Sequence, residues 1–221
     1  MNQTFETVRT APSVTTTNRV LRNTYALLAL LFVFGAVTAF IGQSLNWRIG
    51  FWPFVIGIFA FSFAINATRN SAWGLVISFA FSGFLGVVTG ANIDYMVTAY
   101  GNGGALVTGS FALTAGIFFG LSGYAMVTKR DFSSWFAFLA IGTMVVIGAF
   151  ILNYFLAIPA LALAVSSMAV LLASGWIVWQ TQRIVRGGET NYIIAATGLL
   201  ADIFVLFNNL MHLLGFGFGD D

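Results

Sequence analysis

Seven long apolar runs, separated by short polar or glycine-containing breaks, set the pattern of the chain. They lie at Tyr25–Gly42, Phe51–Ile65, Ala72–Gly90, Ala105–Val127, Ser134–Leu152, Ala160–Gln182 and Tyr192–Leu214. A helix crosses the hydrocarbon core of a bilayer with ~20 apolar residues, each rising ~1.5 Å. The second run is the shortest and reaches back toward Trp47. All seven are too long and too continuously apolar for the alternating strands of a membrane barrel. The pattern predicts an all-α membrane protein with seven transmembrane helices. Ahead of the first run, residues 1–23 are polar and threonine-rich, with Thr4, Thr7, Thr10, Thr15, Thr16 and Thr17. So little apolar surface cannot offset the entropy of ordering, which predicts a flexible tail. The expected division is therefore tail 1–23, membrane domain 24–215 and a short C-terminal tail 216–221, with no cleavable signal peptide and no second domain. Ala91–Gly104, with Gly101, Gly103 and Gly104, reads as a flexible surface turn.

Composition narrows the class. Of 221 residues, 59% are hydrophobic and 7% charged, and the mean hydropathy is +0.92. A soluble domain carries about 25% charged residues, so a soluble enzyme and a disordered chain are both excluded. Cysteine is absent, which removes disulfides, thiol nucleophiles and Cys-ligated metals. The 9 basic and 7 acidic residues leave a net charge of +2, and the basic residues are scattered between apolar runs, so no nucleic-acid surface is expected. Their distribution has a direction, however. With seven crossings, Arg9, Arg19, Arg22, Arg69, Lys129, Arg130, Arg183 and Arg186 fall on one side and Arg48 on the other. The positive-inside rule then predicts a cytoplasmic N-terminus and a C-terminus outside. Tyr25, Trp47, Trp52, Trp73 and Trp135 sit at run ends, as an interfacial aromatic belt requires.

Small residues recur at helical spacing. Ser82, Gly86 and Gly90 stand four apart in the third run, and Gly116, Gly120 and Gly123 follow in the fourth. Such rows let helix backbones approach closely in lipid. They predict a tight bundle within the chain, with a dimer seam as the alternative. Ser78, Ser82, Thr108 and Thr114 are candidates for hydrogen bonds between helices, and Pro159 opens the sixth run where its missing N–H does no harm.

Asp202 is the anomaly. It lies ten residues into the last run, near the bilayer centre, where a carboxylate costs at least ~2.5–3.5 kcal/mol. It must face the bundle interior, find a donor or hold a proton, and is therefore a candidate proton- or ion-sensing group. Asn208, Asn209 and His212 extend it into a polar stripe on an otherwise apolar helix. Gln180, near the end of the sixth run, is placed to reach Asp202 across the hairpin. Gly187-Gly188 supplies the turn between the last two runs, and Thr190 or Asn191 can cap the final helix.

Enzyme templates fail one by one. A retinal Schiff base needs a lysine within the membrane, and the one lysine, Lys129, lies in a loop. Gly217-Phe218-Gly219-Asp220 spells the GxGD of intramembrane aspartyl proteases, but Asp202 stands eighteen positions earlier on the same helix, ~27 Å away. A Ser–His dyad would pair His212 with Ser166, Ser167 or Ser174, which qualify by type alone. No Walker motif, HExxH or paired histidine is present. No enzyme activity, cofactor or metal centre is expected.

The final run, Ala201-Asp202-Ile203-Phe204-Val205-Leu206-Phe207-Asn208-Asn209-Leu210-Met211-His212-Leu213-Leu214-Gly215, follows a short charged turn. With seven spans, it resembles the Bax inhibitor-1 (transmembrane Bax inhibitor motif) family. Val20-Leu21-Arg22-Asn23-Thr24-Tyr25, Gly187-Gly188-Glu189-Thr190-Asn191-Tyr192 and Phe79-Ala80-Phe81-Ser82-Gly83-Phe84-Leu85-Gly86 resemble in particular its proteobacterial YccA-like branch. The resemblance implies six helices surrounding a central seventh, in a multi-pass protein of the bacterial inner membrane. It also implies two activities. One is binding and restraint of the membrane AAA protease FtsH, with the chain also its substrate. Such a protease grips a flexible cytoplasmic end, so Met1, Asn2, Gln3, Thr4 and Phe5 become the expected partner-binding residues. The other is a pH-sensitive calcium, cation or proton leak, gated by an aspartate on each of the last two helices beside an arginine. Those positions fall here on Asp202, on Gln180, which is not acidic, and near Asn66, with Arg69 three residues on. Calcium prefers several anionic oxygens, so the departure favours a proton at a single carboxylate. Oligomeric state stays open.

Overall fold

A computed structural model describes residues 14–218. They form seven α-helices: α1 (Val14–Ser44), α2 (Phe51–Thr68), α3 (Ala72–Ala99), α4 (Gly103–Val127), α5 (Trp135–Leu156), α6 (Pro159–Val185) and α7 (Tyr192–Phe218). Each is long and apolar enough to cross a membrane. The joints follow local chemistry. Pro159 occupies the first turn of α6, where no N–H is needed. Ala157 closes α5 in the left-handed region at φ 49°, and Asn153 Oδ1 accepts the Ile158 N–H at 3.1 Å.

Three boundaries differ from expectation. The tail expected over residues 1–23 is helical from Val14 onward, with Val20 buried. One face of that polar stretch packs against the bundle, which outweighs its low apolar content. Residues 1–13, including Met1, Asn2, Gln3, Thr4 and Phe5, lie outside the described residues. At the other end α7 runs through Phe218, into the expected tail 216–221. The expected turn Ala91–Gly104 shrinks to residues 100–102, because α3 continues as a helix beyond the apolar run. Asn92, Asp94 and Thr98 among its added residues carry polar side chains that suit a helix end near water, and Asp94 pairs with Arg48 at 3.4 Å.

The core runs along α7. Leu199, Leu206 and Ala196 of α7 are fully buried together with Leu31 of α1 and Ile177 of α6. Helix α7 packs against α6, α4, α1, α3 and α2, whereas α5 packs its backbone against α6 alone. The implied arrangement of six helices around the seventh therefore departs at α5. That helix reaches α2 through rings: Phe51 stacks on Tyr154 with centroids 3.9 Å apart. The large apolar side chains of α2 and α5, such as Phe63 and Met144, point outward, where lipid tails solvate them.

The small-residue rows divide in two. A Cβ on Gly86 would run into the Gly35 carbonyl, and one on Gly90 into the Ala39 carbonyl. These glycines let the backbones of α1 and α3 touch, and Ser82 Oγ donates across the seam to the Leu31 carbonyl. Gly116, Gly120 and Gly123 behave differently: a Cβ on any of them would meet nothing within 4 Å. The tight packing expected of the fourth run is not found among the described residues.

Consecutive spanning helices place the α2–α3 turn, the α4–α5 loop and the α6–α7 loop at one end of the bundle. Arg19, Arg22, Arg69, Lys129, Arg130, Arg183 and Arg186 gather there, and it is called the basic end below.

Candidate functional site

The site begins with how α7 is anchored. Asn191 Oδ1 accepts the N–H groups of Ile193 at 3.0 Å and Ile194 at 3.2 Å, satisfying two donors that a helix start leaves open. Asn191 Nδ2 donates to the Arg69 carbonyl at 2.8 Å and to Asn70 Oδ1 at 3.0 Å. Arg183 pairs with Glu189 at 3.2 Å, and Gly187 takes φ 74° at the turn. One residue thus caps α7 and ties it to the α2–α3 turn, fixing the depth of everything further along the helix.

Asp202 lies three turns into α7. Its Oδ2 accepts a hydrogen bond from Gln180 Nε2 of α6 at 2.6 Å. Gly198, one turn earlier on the same face, makes room for this contact: a Cβ there would fall on Gln180 Oε1. The carboxamide of Gln180 therefore lies across α7 between a glycine and a carboxylate. Among the described residues, no cation pairs with Asp202. The arrangement is a carboxyl group with one amide donor, suited to holding or releasing a single proton. It does not resemble a calcium cage, which needs six to eight oxygens, several of them anionic. No group of three or more His, Asp or Glu side chains gathers among the described residues.

The expected polar stripe separates into different contacts. His212 Nδ1 lies 3.0 Å from Ser166 Oγ of α6. Asn208 turns to α3, accepting from Asn92 Nδ2 at 2.7 Å and donating to Thr89 Oγ1 at 3.4 Å. Its Nδ2 also reaches the Phe204 carbonyl at 2.9 Å. Asn209 Nδ2 donates back to the Val205 carbonyl at 2.8 Å, within α7. The polar residues of α7 therefore bind two different neighbours and do not line one common path. Arg69 is not brought to Asp202. Its carbonyl bonds Asn191 at the start of α7, ~16 Å along the helix axis from Asp202, and its side chain is exposed. Of the sensing candidates, the structure joins Asp202 and Gln180 and leaves Arg69, Asn208, Asn209 and His212 in separate contacts.

Sequence reasoning missed Gly198, Thr89 and Asn92. Gly198 was findable, since a glycine one turn before an intramembrane carboxylate marks a place where another group approaches the helix. Thr89 lies in the last turn of the third run and Asn92 just beyond it, and nothing in the spacing shows that they face α7.

The family model described as Inhibitor of apoptosis-promoting Bax1 matches residues 17–219. The chain is 37% identical over 210 residues to the Modulator of FtsH protease YccA of Escherichia coli K12, covering 94% of each chain. It is 40% identical over 203 residues to an uncharacterized protein of Pseudomonas aeruginosa, covering 91% of each. An uncharacterized membrane protein of Vibrio cholerae is 38% identical over 207 residues, with 90% of each covered.

Proposed function

The chain belongs to the Bax inhibitor-1 family as a multi-pass protein of the bacterial inner membrane, and from that premise we propose that it binds and restrains the FtsH protease. The observation that carries the reading is similarity along nearly the whole chain to a relative named as a modulator of that protease. A role without catalysis fits the site, where polar groups serve contacts between helices. In this reading the basic end faces the cytoplasm, since Arg19, Arg22, Arg69, Lys129, Arg130, Arg183 and Arg186 gather there. The protease works from that side, so residues 1–13 are the segment it grips. α7 packs against every other helix except α5. Co-purification of the full chain with FtsH from detergent extracts tests the binding, and deletion of residues 1–13 tests the grip. The deletion is expected to slow turnover of the chain by the protease. A full chain that fails to co-purify under conditions that retain other membrane partners of FtsH would refute the reading.

The Gln180–Asp202 contact favours a second reading, a proton leak or proton-sensing step centred on Asp202. Flux into proteoliposomes between about pH 6 and 8, wild type beside Asp202→Asn, separates the two. Proton flux altered by the substitution supports the leak. Calcium flux that needs Asp202 would contradict the single-carboxylate account. Flux no greater than that of empty liposomes leaves Asp202 as a contact between helices.

A further inference from the structure

The α4–α5 loop at the basic end is held more firmly than its exposure suggests. Gln182 of α6 is buried, and its side chain spans the loop: Oε1 accepts the Phe132 N–H at 2.8 Å and Nε2 donates to the Arg130 carbonyl at 2.7 Å. Arg186 adds a second bond to the Arg130 carbonyl at 2.6 Å and an ion pair with Asp131 at 2.8 Å. Asp131 Oδ1 also accepts the Ser133 N–H at 2.9 Å. The carboxyl of Asp131 is held below the usual carboxylate range, first by that backbone bond and then by Arg186. Phe132 is pinned as a plug against Ala125 and Val178.

Within the α4–α5 loop this bracing leaves two cations without an acidic partner among the described residues. Arg186 is engaged with Asp131 and Arg183 with Glu189. Lys129 and Arg130 have no acidic partner among the described residues, and both are exposed. They stand on the loop that joins two helices set apart from one another. Helices α4 and α5 are consecutive, yet they share no close backbone contact, and both pack on α6. Rings cross the mouth of the gap: Tyr124 of α4 meets Phe132 at 6.2 Å between centroids, and Phe132 meets Trp135 of α5 at 4.7 Å. Phe136 continues that surface down to Trp179 at 5.4 Å. Tyr124, Val127, Trp135 and Phe136 are all well exposed.

We propose that this gap seats an anionic phospholipid, its phosphate on Lys129 and Arg130 and an acyl chain along Val127, Trp135 and Phe136. Charge decides the occupant: two unpaired cations on a braced loop complement an anionic headgroup, and exposed Tyr and Trp belong at headgroup depth. The cation pair alone would serve any anion. The apolar strip continuing beneath it into the membrane is what a lipid uses and a soluble anion does not. The inference stands apart from the protease reading.

Native mass spectrometry of the detergent-purified full chain tests it, titrating phosphatidylglycerol against phosphatidylcholine. Wild type is expected to retain phosphatidylglycerol preferentially. Lys129→Ala/Arg130→Ala should weaken that retention about thirtyfold, as expected for two basic residues near a lipid surface. Arg22→Ala/Arg69→Ala removes the same charge from the same end and should leave it unchanged, with thermal stability confirming that both variants fold. Equal retention of the two lipids by wild type would overturn the proposal, and so would an equal loss in both double variants. It would also be overturned if the Lys129/Arg130 variant kept its lipid but lost co-purification with the protease, since the loop would then be a protein-binding surface.

Discussion

Replacing Gly198 by alanine should destabilise the protein, although the same change usually stabilises a helix. Alanine is better than glycine in a helix interior by about 0.8–1 kcal/mol. Here the new Cβ would occupy the position of Gln180 Oε1, so the carboxamide must leave and its bond to Asp202, 2.6 Å in the native protein, is lost. Polar contacts between membrane helices contribute about 0.6 kcal/mol on average and up to about 1.7. A polar group stranded without its partner costs about 1–3 kcal/mol more, so the balance falls at about 1–4 kcal/mol on the unfavourable side. The informative assay is a double-mutant cycle read by thermal or denaturant unfolding of the purified protein. In a Gln180→Ala background the obstacle is gone, and Gly198→Ala should then stabilise by up to about 1 kcal/mol. The sign of the Gly198 substitution is thus predicted to reverse with residue 180. Stabilisation of similar size in both backgrounds would refute the packing argument and the role given to Gly198.

Three further outcomes follow from other parts of the molecule. Gly86→Ala places a methyl against the Gly35 carbonyl and should cost about 1–3 kcal/mol through overpacking, whereas Gly120→Ala, which meets nothing, should be neutral or stabilising in the same unfolding assay. Asn191→Ala removes a helix cap and the tie to Arg69 and Asn70; a loss of about 1 kcal/mol or more is expected, and a loss near zero would show that the α7 start is held by packing. Because the carboxyl of Asp131 is held low, its contribution is complete above the ordinary carboxylate value of about 4 and fades as pH falls through the lowered value. Limited proteolysis by an acid-active protease should therefore find the α4–α5 loop protected down to about pH 4 and more open below it, with Gln182→Ala opening the loop at every pH.

The hydrophobic pattern alone located all seven helices, because twenty apolar residues in a row have one economical home. It failed where tertiary contacts outweigh local composition. Polar residues 14–23 look like tail, yet they are helical and Val20 among them is buried in the bundle. Ala91 to Ala99 looks like loop, yet α3 continues through it. The Asp202–Gln180 contact was legible, since two polar side chains at matching depth in a hairpin of apolar helices have few other partners. The unity of the polar stripe was not. Helical periodicity places Asn208 and His212 on neighbouring faces, but the identity of the helix beyond each face is a property of the packed bundle. The glycine rows show the same limit. Spacing marks a face where a backbone can approach, and it does not tell whether that backbone belongs to α1, as at Gly86, or to nothing within the chain, as at Gly120.

The proposed restraint of the protease is tested most directly by reconstitution. FtsH is placed in proteoliposomes with a membrane substrate, and degradation is followed with and without the full chain at equal lipid content. The account predicts slower degradation that scales with the amount of chain added. It also predicts the same slowing by the Asp202→Asn variant, because the proposed contact with the protease is at the basic end. A degradation rate that does not respond to the chain at any ratio would contradict the account.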